Sequence, residues 1–248
     1  MININPLKWY KKLQESAARR QSGYFMAEGY NVISQIAAVA PDSIEEILSS
    51  VAVPSELTGY PLRMVSPSGL ESILAAKTPQ GIAALVKLPP EIYSNRLPFK
   101  TGSRVLLLDG VADPGNVGTL IRSAAALGYD GVILSASGCD VLSPKVVAAS
   151  AGSLFSLWIR RVDDIATAAQ TLKRHDFYAV ATALDGQSDT AVLKSNKLLL
   201  ILGSETHGVS APLRVLSDYV LRLPVDNKRA ESLNVAAAGA ICMYMSRY

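Results

Sequence analysis

The sequence predicts an α/β protein with a mostly parallel sheet in its C-terminal part and a smaller α/β unit ahead of it. Three observations predict this. Continuous apolar runs of strand length recur through the second half, as expected of parallel strands covered on both faces. Alanine-rich helical segments lie between or after these runs. A proline-rich break covering roughly 88–103, with Pro89-Pro90, Pro98 and Gly102, separates this pattern from a differently organised N-terminal stretch.

Along the chain, 8–20 reads as a basic helix, followed after Gly23 by an amphipathic segment over 31–40. Short apolar stretches follow at Glu46-Ile47-Leu48 and at 81–86, the second ending at Lys87. Beyond the proline break, Val105-Leu106-Leu107-Leu108 is a buried-strand candidate. A turn-forming loop, Asp113-Pro114-Gly115, leads to a short helix over 119–127 that Gly128 stops. Gly131-Val132-Ile133-Leu134, 177–182 and 197–202 are further strands, and an alanine-rich helix over 235–246 closes the pattern. The expected units are therefore 1–95 and 104–248.

Composition sets bounds on function. The 248 residues are 49% hydrophobic and 18% charged, the balance of a soluble globular chain, and no apolar run approaches the roughly 18 residues that span a bilayer. The N-terminus lacks the pattern of an export signal, so a cytoplasmic protein is expected. Cys139 and Cys242 have no C-x-x-C partner and read as reduced, buried thiols; with two histidines, no metal site is expected. A net charge of +3 does not by itself indicate nucleic acid. Lys8, Lys11, Lys12, Arg19 and Arg20, however, cluster near the N-terminus, either as a solvated helix face or as a phosphate-contacting stripe.

Three polar motifs follow apolar runs: Asn116-Val117-Gly118-Thr119-Leu120-Ile121-Arg122, Gly203-Ser204-Glu205-Thr206-His207-Gly208 and Glu231-Ser232-Leu233-Asn234-Val235. Open α/β sheets bind ligands outside the carboxyl ends of their strands, so folding should gather all three on one rim. Neither a P-loop nor a G-x-G-x-x-G loop is present. Read singly, Asn116 and Ser232 are helix N-caps, Arg122 snorkels to solvent and Glu205 sits in a glycine-flanked turn where backbone can approach a ligand.

Taken together, in this order and spacing, the motifs resemble the SpoU (TrmH-type) family of RNA ribose 2′-O-methyltransferases. The likeness covers the C-terminal 145 or so residues and includes the stretches 140–147 and 149–155. It extends more loosely to the N-terminal part through Arg19-Arg20, Phe25, Glu28-Gly29 and Gln80-Gly81-Ile82. The stretch 225–230 departs from the family in lacking a glycine, a place Asn227 would fill through its tolerance of left-handed backbone.

The resemblance implies an α/β-knot domain, threaded as a trefoil, that forms a homodimer, and an N-terminal ribosomal-protein-like domain that grips RNA. It implies S-adenosyl-L-methionine as cofactor, held at Gly203, Leu223 and Leu233, and RNA as partner, ribosomal RNA ahead of transfer RNA. It implies Arg122 at the reacting ribose, oriented by Asn116, Glu205, Ser232 and Asn234, and leaves His207 without chemistry. A guanidinium is effectively always protonated, so whether Arg122 accepts a proton or stabilises an alkoxide stays open. A non-catalytic RNA-binding protein with a methylase-like fold, and a base methylase, remain the competing readings.

Overall fold

The computed structural model describes residues 5–76, 79–226 and 228–248. In place of one basic helix over 8–20 there are two, α1 (Leu7–Lys12) and α2 (Ser16–Ser22). The interruption frees the carbonyls of Leu13 and Gln14. Arg19, 2% exposed, takes both through Nη1, at 2.8 and 2.7 Å. Its other terminal nitrogen is ion-paired to Asp140, 121 residues away. Arg19 is thus neither a solvated nor a phosphate-facing side chain. Arg20 lies over the ring of Tyr93 at 4.4 Å.

Then come β1 (Tyr24–Glu28), α3 (Tyr30–Val39), β2 (Ile44–Ser49), β3 (Leu62–Met64), α4 (Pro67–Glu71) and β4 (Ile82–Lys87). They build a four-stranded sheet of order β1-β4-β2-β3, in which β4 runs antiparallel to both its neighbours and β2 pairs β3 in parallel.

The second sheet is formed by β5 (Arg104–Asp109), β6 (Gly131–Ser135), β7 (Trp158–Val162), β8 (Tyr178–Gln187), β9 (Leu198–Gly203) and β10 (Tyr219–Leu221). Its order is β10-β8-β9-β5-β6-β7 and every pairing is parallel. The helices are α5 (Pro114–Ala126), α6 (Pro144–Ser150), α7 (Ile165–Arg174), α8 (Ala211–Leu216) and α9 (Val235–Arg247). From β5 the strands proceed outward through β6 to β7; the later strands lie on the other side. The order therefore reverses between β5 and β9, whose ends Asp109 and Gly203 are paired. Such a reversal opens a crevice at the carboxyl ends of the strands.

The 88–103 stretch is not a free tether. Arg160 on edge strand β7, 4% exposed, donates to the carbonyls of Arg96 (2.9 Å) and Pro90 (3.1 Å) and pairs with Glu91 at 2.6 Å. The main core crosses between the two sheets: Phe25, Ile33 and Ile36 belong to the same buried cluster as Leu120, Val146 and Leu154. Phe25 and Phe155 stack with centroids 6.4 Å apart. Helices α5 and α6 approach so closely that a Cβ at Gly118 would lie 2.4 Å from that of Ala149. That glycine in the first motif is required by packing.

Candidate active site at the strand-order reversal

The segment expected to be a loop before residue 119 is already helix. Asp113 caps α5, accepting from the Asn116 backbone N–H at 2.8 Å, and Pro114 occupies the first turn, where its missing N–H costs nothing. Asn116 is therefore inside the helix rather than its cap, and its side chain is free for other partners.

Those partners come from the other two motifs. The Asn116 carboxamide donates to Glu205 Oε1 at 2.8 Å and accepts from Asn234 Nδ2 at 3.0 Å. Asn234, not Ser232, is the N-cap of α9: its Oδ1 accepts from the backbone N–H groups of Ala236 (2.8 Å) and Ala237 (3.3 Å). Glu205 Oε2 also accepts from the Ala112 backbone N–H at 3.4 Å. One carboxylate and two carboxamides thus join three segments up to 118 residues apart, with every amide orientation dictated by its partners.

The 203–208 loop folds back on itself. Ser204 and Gly208 exchange backbone hydrogen bonds at 3.2 and 2.9 Å, and the His207 backbone N–H donates to Ser204 Oγ at 3.0 Å. A Cβ on Gly203 would meet the carbonyl carbon of Gly208 at 2.0 Å. This glycine serves the loop's own closure, whereas the sequence suggested close approach of a ligand. Gly208 has φ +67°, a left-handed conformation that other residues rarely adopt.

Burial pushes the Glu205 carboxyl upward, but the hydrogen bond from Asn116 and those from backbone N–H groups outweigh it. The net shift is below the ordinary glutamate range. A carboxyl depressed in the folded state contributes stability that is fully present above its unfolded value and is lost as pH falls through the lower folded value. Urea unfolding of wild type and Glu205→Gln should therefore differ most at neutral pH and converge only on the acid side of that range. A difference independent of pH would contradict the ionised network.

A cleft of about 570 Å³ lies alongside the third motif, lined by Leu184, Leu223, Pro224 and Val225 together with Arg222, Lys228, Arg229 and Glu231. Its size suits a small-molecule ligand, and it offers apolar walls beside groups of both charges. Val225, Lys228, Arg229 and Ala230, from the stretch that departs from the family, form part of its wall; Asn227, the suggested stand-in for glycine, lies outside the described residues.

The profile of the SpoU rRNA Methylase family matches residues 103–244. The chain belongs to that family. Among SpoU-type relatives, it is 34% identical over 245 residues to the 23S rRNA (guanosine(2553)-2'-O)-methyltransferase RlmP of Bacillus subtilis, covering 97% of this chain and 95% of that one. Its fold superposes on the SpoU methyltransferase AviRb of Streptomyces viridochromogenes, solved with the cofactor AdoMet. The TM-score is 0.83 at 26% identity, over 97% of this chain and 96% of that one. An AdoMet-bound rRNA methyltransferase from Sinorhizobium meliloti gives a TM-score of 0.82 at 27% identity, covering 100% of this chain and 95% of the other.

Of the residues singled out from the SpoU motifs, Asn116, Glu205 and Asn234 are brought into one network. Arg122 is exposed on α5 beyond Asn116 and makes no hydrogen bond or ion pair among the described residues. Ser232 is exposed and outside the network. Leu223 is half-buried and lines the cleft, Leu233 is 40% exposed, and Gly203 ends β9. Asp113 and Ala112 are contributors the sequence reading missed, although Asp113-Pro114 is a recognisable cap-and-first-turn pair. Among the described residues no cluster suited to a metal is present, and no helix is long and apolar enough to cross a membrane. Cys242 is buried as expected, with its thiol pushed up to about 12 by burial, whereas Cys139 is only half-buried.

Proposed function

We propose that this protein transfers a methyl group from S-adenosylmethionine to a ribose 2′-hydroxyl in structured RNA, with ribosomal RNA as the substrate ahead of transfer RNA. The observation that carries the reading is the Asn116–Glu205–Asn234 network at the reversal between β5 and β9. The relatives named as 2′-O-methyltransferases and the AdoMet-bound neighbours support it.

The residues around the cleft fit the cofactor. Leu184, Leu223 and Pro224 offer an apolar surface to a purine ring; Arg222, Lys228 and Arg229 suit its carboxylate, and Glu231 suits hydroxyl or ammonium groups. Gly203, at the end of β9, and Leu233, in the third motif, are the further cofactor positions in this reading. When bound, S-adenosylmethionine supplies a methyl group on a positively charged sulfur. The chain's own task is to hold the 2′-oxygen in line and stabilise the negative charge that develops there. Arg122 is the residue that touches the ribose, presenting a planar donor fork to the oxygen or to a neighbouring phosphate. Asn116, Glu205 and Asn234 are positioning residues that fix the starts of α5 and α9. Ser232, exposed ahead of α9, is in this reading a contact for RNA or cofactor.

In this reading residues 1–95 grip the RNA and 104–248 form the methyltransferase unit, knotted as a trefoil and acting in the cytoplasm as a homodimer. The return of α9 from edge strand β10 to pack on α5 and β9 supports the threading. Ile241, Tyr244 and Tyr248, exposed at 41%, 58% and 76%, are apolar surface that a second copy would cover.

Calorimetry with S-adenosylmethionine and with its demethylated product should show binding of both at one site per chain. Heat silence from both, with folded protein free of carried-over ligand, would remove the enzymatic reading.

A further inference from the structure

Glu28-Gly29, Gln80 and Pro144-Lys145 take no part in the Asn116 network, yet the fold brings them to one place. A cavity of about 350 Å³ opens between the four-stranded sheet and α6. Leu13, Met26 and Ile73 wall it on one side, Leu142 and Pro144 on the other, and its polar groups are Gln14, Glu28, Gln80 and Lys145.

Several of these groups are held in place. Gln14 donates to the Ile73 carbonyl at 3.0 Å. The Gln80 amide lies across Gly29, its Oε1 2.9 Å from where a Cβ would stand, so this glycine is what admits it. Among the described residues, the one polar partner of the Glu28 carboxylate is the Ala76 backbone N–H. Its burial outweighs that contact and raises its pKa above the ordinary value. A carboxylate lining an apolar cavity in this way is stabilised by any ligand that brings N–H donors to it.

We propose that this cavity receives an unstacked guanine of the substrate RNA and that Glu28 reads its Watson–Crick edge. The proposal rests on the RNA methyltransferase reading and adds a recognition subsite to it. The volume equals that of on the order of ten waters at about 30 Å³ each, room for a purine between apolar walls. An ionised carboxylate offers two acceptors and no donor. Guanine alone among the four bases presents two adjacent donors, N1–H and N2–H, on that edge; adenine and cytosine pair a donor with an acceptor, and uracil sets one donor between two acceptors. Lys145 is exposed at the cavity and suits a flanking phosphate. The Gly118–Ala149 contact ties α6 to α5, which carries Asn116 and Arg122, so a base held here is rigidly related to the ribose site. RNA modules read unpaired bases in this manner, by stacking plus edge hydrogen bonds.

The test uses the full chain and unmodified ribosomal RNA from a strain lacking the protein. Glu28→Gln keeps the shape but replaces one acceptor with a donor. It should raise KM for RNA about tenfold or more while kcat at saturating RNA and cofactor affinity stay at wild-type values and the thermal midpoint does not fall, since the neutral amide removes a desolvated charge. In parallel, RNA substituted with 6-thioguanosine should photocross-link to peptides within 26–29, 73–76 or 142–148, and 4-thiouridine RNA should not. An unchanged KM in an active protein overturns the subsite, as do thioguanosine cross-links confined to other segments. Wild type inactive on RNA would remove the methyltransferase reading instead, and the cross-links would still decide whether the cavity takes the base.

Discussion

Arg122→Lys should slow single-turnover methyl transfer by roughly 10²–10³-fold, the cost typical of losing one aimed transition-state donor, while S-adenosylmethionine affinity stays nearly unchanged. Lysine keeps the charge but not the planar fork that engages an alkoxide and a neighbouring anion together. Arg122 makes no hydrogen bond or ion pair among the described residues, so its replacement removes the proposed interaction with substrate without dismantling one inside the protein. That asymmetry makes the experiment clean: the loss should fall on kcat with folding intact. His207→Ala is the control. Its side chain is exposed and the loop is held by the His207 backbone N–H, which alanine retains. Full activity in the lysine variant, or collapse in the His207 variant, would reverse the assignment.

Arg19→Ala should destabilise the protein by roughly 3–5 kcal/mol, the range for removing one partner of a buried ion pair. Burial pushes the Asp140 carboxyl upward, but hydrogen bonds from Ser16 and Arg19 and the Arg19 charge hold it below its ordinary range. Without Arg19 that compensation is lost, and the carbonyls of Leu13 and Gln14 lose their donor as well. The double variant Arg19→Ala/Asp140→Ala should lose less than the sum of the single losses, because it leaves no charge stranded. Urea titration at neutral pH measures both. A loss below about 1 kcal/mol in the single variant, the value of an exposed pair, would show the pair to be solvated.

The second sheet was legible because its central strands are buried on both faces, which forces continuous apolar runs such as 105–108 and 198–202. Strand β7 was not, because an edge strand tolerates Arg160 and Arg161, and the groups that satisfy Arg160 lie in a stretch that reads as linker. Arg19 failed for a related reason: a positive charge in a sequence carries no mark of the acid that pairs with it 121 residues away. At the site, the residues Asn116, Glu205 and Asn234 were reached through resemblance, and the rim through the rule for open sheets. Their mutual bonds were not legible. Asn116 read as a cap because asparagine favours caps, and the true cap, Asp113, stood three residues earlier in what read as a loop.

The shared core bears on how heat acts on the molecule. Phe25, Ile33 and Ile36 are packed into the same cluster as Leu120, Val146 and Leu154. Removing residues 1–95 would therefore strip buried surface from the C-terminal half, as well as the proposed substrate grip, and the excised unit cannot be expected to match the intact one in stability. Warming the whole chain should loosen both halves together, since each supplies part of the other's interior. Cells exposed to a temperature rise should hold either competent protein or unfolded protein, with no lasting population that keeps the cofactor site but has lost the proposed N-terminal hold on RNA.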